Sequence, residues 1–177
     1  MIQNQILTPH FSLEEFVKSS TARDHGINNT PPQEAVENLR ALCQHTLEPL
    51  REALGLPIVI TSGYRCKALN HLLVNHSVKS QHMNGQAADF YVAVPKDSNQ
   101  DPKDLDLAKP SRRELLISAF RQIITDDAIA FDQLIIYPSF IHVSYVRSGR
   151  KNRSKLTKAF ANGSYAALTR AQALSLE

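Results

Sequence analysis

The segment Ser80-Gln81-His82-Met83-Asn84-Gly85-Gln86-Ala87-Ala88-Asp89 sets an imidazole and a carboxylate seven residues apart across a glycine-containing turn. Both groups are good ligands for a borderline ion such as zinc, and the turn lets a loop residue and a strand residue converge. A catalytic zinc takes about three protein ligands and leaves a further position for water, so a third donor must come from elsewhere. His142, between Ile141 and Val143 in a β-rich run, is the best-placed candidate. Each residue also has an ordinary reading. A strand histidine is often only hydrogen-bonded at the core edge, and an aspartate beside small residues often caps a turn. Type and spacing alone leave that choice open. His10, His25, His45, His71 and His76 match no ligand position, and Cys43 and Cys66 stand in no CxxC or Cys/His spacing, which suits reduced thiols rather than a thiolate site.

The elements that would position these residues can be read from periodicity. Ser12 and Glu15 have capping-box spacing and open a short helix through Val17, followed by a turn-rich loop to Pro31 and Pro32. From Pro32 to Leu54, apolar residues recur at three and four, which predicts a long amphipathic helix broken or kinked near Pro49. Ile58 to Ser62 reads as a buried strand, Ala68 to Val74 as a short helix, and Ala87 to Val94 as a strand carrying Asp89. Ser111 caps a helix over Glu114 to Ile124, and Phe131 to Tyr137 and Phe140 to Val146 form a hairpin about Pro138 and Ser139. The order predicts an α+β fold, a small antiparallel β-sheet with helices packed on it and the candidate zinc ligands at the sheet.

The chain of 177 residues, 42% of them hydrophobic, is long enough for one compact domain with a real core and short for two, so a single domain over 1–177 is expected. Pro95 to Pro110 is polar and predicts an exposed loop; 147–177, with Arg147, Arg150, Lys151, Arg153, Lys155 and Lys158, predicts a basic tail, either merely solvated or attracting anionic cell-wall polymers or nucleic acid. The net charge of +3 is otherwise spread out, which gives no specific nucleic-acid signal. The N-terminus lacks the pattern of a signal peptide and no segment is apolar enough to span a bilayer, so synthesis in the cytoplasm without membrane association is expected, as a monomer.

The strings SGYRC-KALN (Ser62 to Asn70), SQHMNGQAADF (Ser80 to Phe90), FDQLI (Phe131 to Ile135) and IHVSY (Ile141 to Tyr145), in this order, resemble the zinc D-alanyl-D-alanine carboxypeptidases and their relatives, the phage L-alanyl-D-glutamate endolysins. LTPHFSLEEF and NNTPP add to the likeness, which covers nearly the whole chain. The resemblance implies a metallopeptidase that uses Zn2+, held by His82, Asp89 and His142, to hydrolyse D-amino-acid-containing bonds of peptidoglycan peptides once the protein is released to the cell wall. It further implies that Arg65 binds and orients the substrate or its developing oxyanion; Ser80 reads as a substrate-side or turn hydrogen-bonder rather than a nucleophile, since zinc activates the water. Arg65 suits this work because a guanidinium stays charged and offers a fixed fork of donors.

One departure concerns the general base, which the family places two or three residues before the last ligand. Those positions here hold Phe140 and Ser139. Asp132, in the FDQLI string, is the candidate catalytic substitute or else a structural carboxylate, and Tyr137 is the other titratable residue nearby. A second departure is Asn75 and His76 where relatives often carry paired glycines. The missing base leaves a rival reading: a catalytically weak or inactive zinc module that binds cell-wall peptides, or a phage structural component.

Overall fold

The computed structural model describes residues 5–74, 77–94 and 111–177. The expected exposed loop at 95–110 and the Asn75–His76 turn lie outside the described residues. Strands β1 (Ile6–Thr8) and β2 (Phe11–Ser12) make a two-stranded sheet ahead of helix α1 (Leu13–Val17). Ser12 and Glu15 close the expected capping box, with the Ser12 N–H donating to Glu15 Oε1 at 2.8 Å. The stretch read as a loop holds a further short helix, α2 (Ser20–Asp24), because the Ser19 side chain accepts from the Ala22 N–H at 3.2 Å and so caps it.

The long helix predicted across Pro49 is continuous, and it absorbs the proline by a change of winding. Helix α3 (Gln33–Leu42) passes into a π-helical turn (Cys43–Leu47) and then helix α4 (Glu48–Leu54). Proline has no N–H, so the carbonyl of His45, four residues earlier, loses its helical donor. The Ala130 N–H takes that carbonyl at 2.9 Å, and the buried Thr46 hydroxyl donates back to the Ala130 carbonyl. The proline thus fastens the helix to the chain that leads into the sheet.

The main sheet has six strands in the order β3 (Ile58–Ser62), β4 (Ala87–Val92), β6 (Ile141–Ser144), β5 (Gln133–Ile136), β7 (Lys155–Ala159) and β8 (Tyr165–Ala167). Helix α5 (Lys67–Leu72) follows β3, and α6 (Arg112–Thr125) precedes β5 and begins with a Ser111–Glu114 capping box. Period-two alternation divides the sheet. Phe90, Leu134, Ile141 and Val143 join the core with Leu116 and Phe120 of α6 and Leu39, Leu47 and Leu50 of the long helix. Asp89, Ile135 and His142 occupy the alternate positions and face away from that core, where the cleft described below lies.

Two expectations are corrected here. The fold is α+β, but the sheet is mixed, since β5 and β7 pair in parallel, Leu134 opposite Leu156. Residues 147–177 are not a solvated tail: they supply β7, β8 and helix α7 (Arg170–Leu174), and Leu156, Ala159 and Ala173 are buried. Both corrections have one cause. After β6 the chain passes beneath the start of β5 and rises on its far side, so β7 runs opposite to β6 and therefore with β5. Its sequence, KLTKA, hides this because lysines flank the buried Leu156 and Thr157. Among the described residues no helix is long and apolar enough to cross a membrane.

Candidate metal centre

Three segments bring the expected ligand set together. Asp89 on β4 and His142 on β6 are direct cross-strand partners, and such neighbours put their Cβ atoms about 5 Å apart. His82 comes from a short 3-10 turn (Gln81–Asn84) that leads into β4. Gly85 ends that turn at φ +67°, and a Cβ there would lie 2.3 Å from the Ala35 carbonyl oxygen, so the position needs glycine on two counts. Asn38 of α3 donates to the Asn84 carbonyl at 2.9 Å and holds the turn down.

The ligand atoms of His82, Asp89 and His142 all lie within 4.8 Å of one another. His142 Nδ1 stands 2.8 Å from Asp89 Oδ1 and 3.2 Å from His82 Nε2, and His82 Nε2 stands 3.4 Å from Asp89 Oδ1. Ligands roughly 2.0–2.2 Å from a tetrahedral ion sit about 3.3 Å apart, so little rearrangement separates this set from a coordination shell. The tautomer also fits. His82 Nδ1 is 2.7 Å from the Gly63 carbonyl, which can only accept, so Nδ1 carries the proton and Nε2 presents its lone pair to the centre. Gly63 is held for that purpose, since a Cβ on it would lie 2.5 Å from the Phe16 carbonyl oxygen.

Electrostatics set the ligands in the states a cation needs. Burial pushes the His82 imidazole below its ordinary pKa, against the pull of Asp89, and favours the neutral ring. Burial alone would raise the Asp89 pKa, yet its close pairing with the two imidazoles, His142 by a hydrogen bond, outweighs it and holds the carboxyl well below the usual range. A carboxylate and an imidazole lone pair aimed at one point are mutually repulsive without a positive charge between them. The group could therefore hold a metal ion.

The three residues open into a cleft of about 670 Å³ that also includes Arg65, Tyr137, Arg150 and Arg153. The Arg65 N–H donates to the His82 carbonyl at 3.2 Å, which ties the arginine's turn to the ligand turn. Its guanidinium reaches Ser80 Oγ at 3.2 Å and Ser62 Oγ at 3.4 Å, while Nε is buried and finds no hydrogen-bond partner among the described residues. A buried N–H without an acceptor costs free energy until something supplies one. Ser80 accordingly orients Arg65. Tyr137 stacks on Phe140 with ring centroids 4.2 Å apart, and its hydroxyl lies 3.1 Å from that of Tyr165. Burial, chiefly, raises the Tyr137 pKa and keeps the phenol protonated.

Asp132 stands apart from this group. Its side chain is fully buried and ties down the crossing from β6 to β7. It accepts from the Arg153 backbone N–H and Nε, both at 3.0 Å, from Arg153 Nη2, from Gln81 Nε2 at 3.0 Å and from Arg150 Nη2 at 3.3 Å. Burial acts to raise its pKa, but the hydrogen bonds from Arg153 and Gln81 prevail and lower it. A carboxylate whose lone pairs are taken by cations is a poor proton acceptor. Sequence reasoning placed Arg150 and Arg153 in a tail, although their positive charge was plain; it did not single out Tyr165, a lone tyrosine on a three-residue strand.

Residues 9–124 match the family described as Peptidase M15. The matched region holds Arg65, Ser80, His82 and Asp89, and ends before His142. No curated protein matches the chain.

Proposed function

Since this chain belongs to the Peptidase M15 family, a family of metallopeptidase hydrolases, we propose that it is a zinc-dependent peptidase acting on D-amino-acid-containing bonds of peptidoglycan peptides. The observation that carries the reading is the convergence of His82 Nε2, Asp89 Oδ1 and His142 Nδ1 from three separate segments at the wall of one cleft. The chemistry zinc supplies when bound is Lewis acidity and the activation of water. His82 is kept in the correct tautomer by Gly63, and Asp89 stays ionised between the two imidazoles. Arg65, on the cleft wall and oriented by Ser80, aligns the substrate carbonyl or a terminal carboxylate. Tyr137, neutral and on the cleft wall, offers an O–H where negative charge develops. Asp132 takes the structural role of clamp, not that of base.

A second reading has its own support. Among the described residues that line the cleft none is a glutamate, and its histidines are both members of the ligand group. This favours a weak or inactive zinc module that binds cell-wall peptides. One experiment separates the two: incubate the zinc-loaded protein with purified peptidoglycan peptides and count new amino termini. Release of defined fragments, lost in His142→Ala, supports the peptidase. Binding without release supports the module.

A further inference from the structure

We infer that Arg150, braced by Arg153, forms an anion-binding subsite at the Asp132 end of the cleft, which receives a carboxylate of the substrate peptide other than the group held at Arg65. The inference rests on the peptide-binding reading of the same cleft. Its position follows from strand register. Gln133, Ile135 and Tyr137 share the cleft-facing side of the β5 stretch, and Ile135 lies opposite His142 while Gln133 lies opposite Ser144. Two residues of strand span roughly 7 Å, so the Gln133 end, with Asp132 and its arginines, lies about that far along the sheet from the ligand row. That is the reach of about two residues of an extended peptide.

The charge at this end is unbalanced. Asp132 carries one negative charge, is fully buried and is already clasped by Arg153 through the backbone and two guanidinium nitrogens. Arg150 lends Asp132 a single hydrogen bond at 3.3 Å and leaves its side chain 49% exposed. Two cations on one anion leave a net positive charge, and among the described residues the only side-chain bond of the Arg150 guanidinium is the one from Nη2 to Asp132, while the residue lines the cleft. Lys79 lines the same cleft and adds to the field. A planar fork with spare donors in a concave positive site selects a carboxylate. The ligand class is a peptide bearing a carboxylate about two residues from the bond at the metal group.

The test uses the zinc-loaded full chain and isothermal titration, which reads affinity with or without turnover. Three versions of an L-alanyl-D-glutamyl tripeptide serve as probes: one with only the glutamyl carboxylate free, one with only the C-terminal carboxylate free, and one with both amidated. One of the singly charged peptides is expected to bind about tenfold more tightly than the diamide. In Arg150→Gln that preference falls to near one, and in the wild type it shrinks at high salt. No preference in the wild type, or a preference that survives in Arg150→Gln, overturns the subsite and leaves Arg150 as a second clamp on Asp132. Amino-terminus release, measured on the same samples, reports separately on the peptidase reading, so either claim can fail alone.

Discussion

His142 Nδ1 lies 2.8 Å from Asp89 Oδ1 across a single pair of antiparallel neighbours, a closeness that the strand register of β4 and β6 sets. Preorganisation of this kind makes loss of one ligand expensive for binding, since the other two cannot shift to compensate. The wild type is expected to hold close to one zinc per chain, and His82→Ala or His142→Ala to lose most of it, by metal analysis after dialysis. A wild-type protein that takes up no divalent metal at micromolar concentration refutes the site.

Arg65→Ala is expected to keep its zinc and to lose turnover by roughly a hundredfold, the scale of removing one preorganised donor from a developing oxyanion. The kinetic split matters: kcat should fall with kcat/KM. A rise in KM alone would confine Arg65 to ground-state binding.

Tyr137→Phe removes one hydroxyl and retains the ring stacked on Phe140. Zinc content and melting temperature should hold, and kcat should drop by about tenfold if the phenol donates in the transition state. Unchanged kcat would show that the hydroxyl serves only its bond to Tyr165.

Asp132→Asn tests the clamp. Replacing the carboxylate weakens the charge-assisted bonds from Arg153, Gln81 and Arg150, at a cost of about 1–3 kcal/mol read by thermal unfolding. The pH dependence follows from the lowered folded pKa. The unfolded chain takes up this proton more readily, near pH 3.9 or about that value, so the stabilisation is present above it and is lost as pH falls through it toward the folded pKa. The gap in melting temperature between wild type and variant should therefore be full at neutral pH and narrow in acid. If Asp132→Asn instead melts like the wild type and is dead in hydrolysis, Asp132 is the base.

Gly85→Ala should be among the most damaging small changes in the chain. It forces a left-handed backbone on a residue with a Cβ and drives that Cβ onto the Ala35 carbonyl, at a combined cost on the order of 2–5 kcal/mol. Zinc occupancy should fall with stability, because the turn that carries His82 must open. A stable, fully metallated Gly85→Ala protein would show that the turn has slack.

Much of this was written in local sequence. Ser12 with Glu15 and Ser111 with Glu114 mark helix starts because a cap is a contact across three residues, and Ile58–Ser62 shows its strand by composition and flanking turns. The imidazole and carboxylate types, with the glycine between them, suggested a metal site but left it open beside the ordinary readings of a core histidine and a turn aspartate. Other features depend on what meets at a distance. The carbonyl that Pro49 abandons is taken by the Ala130 N–H, far along the chain. The parallel β5–β7 pair arises from a crossing whose only sequence trace is a basic run that reads equally well as a solvated tail. In the sequence Asp132 reads as base or structural carboxylate, and only the fold brings Arg153, 21 residues on, against its oxygens. A hydrogen bond between distant residues leaves no period in the chain, so tertiary structure alone gave that carboxylate its partners and brought two arginines to the cleft.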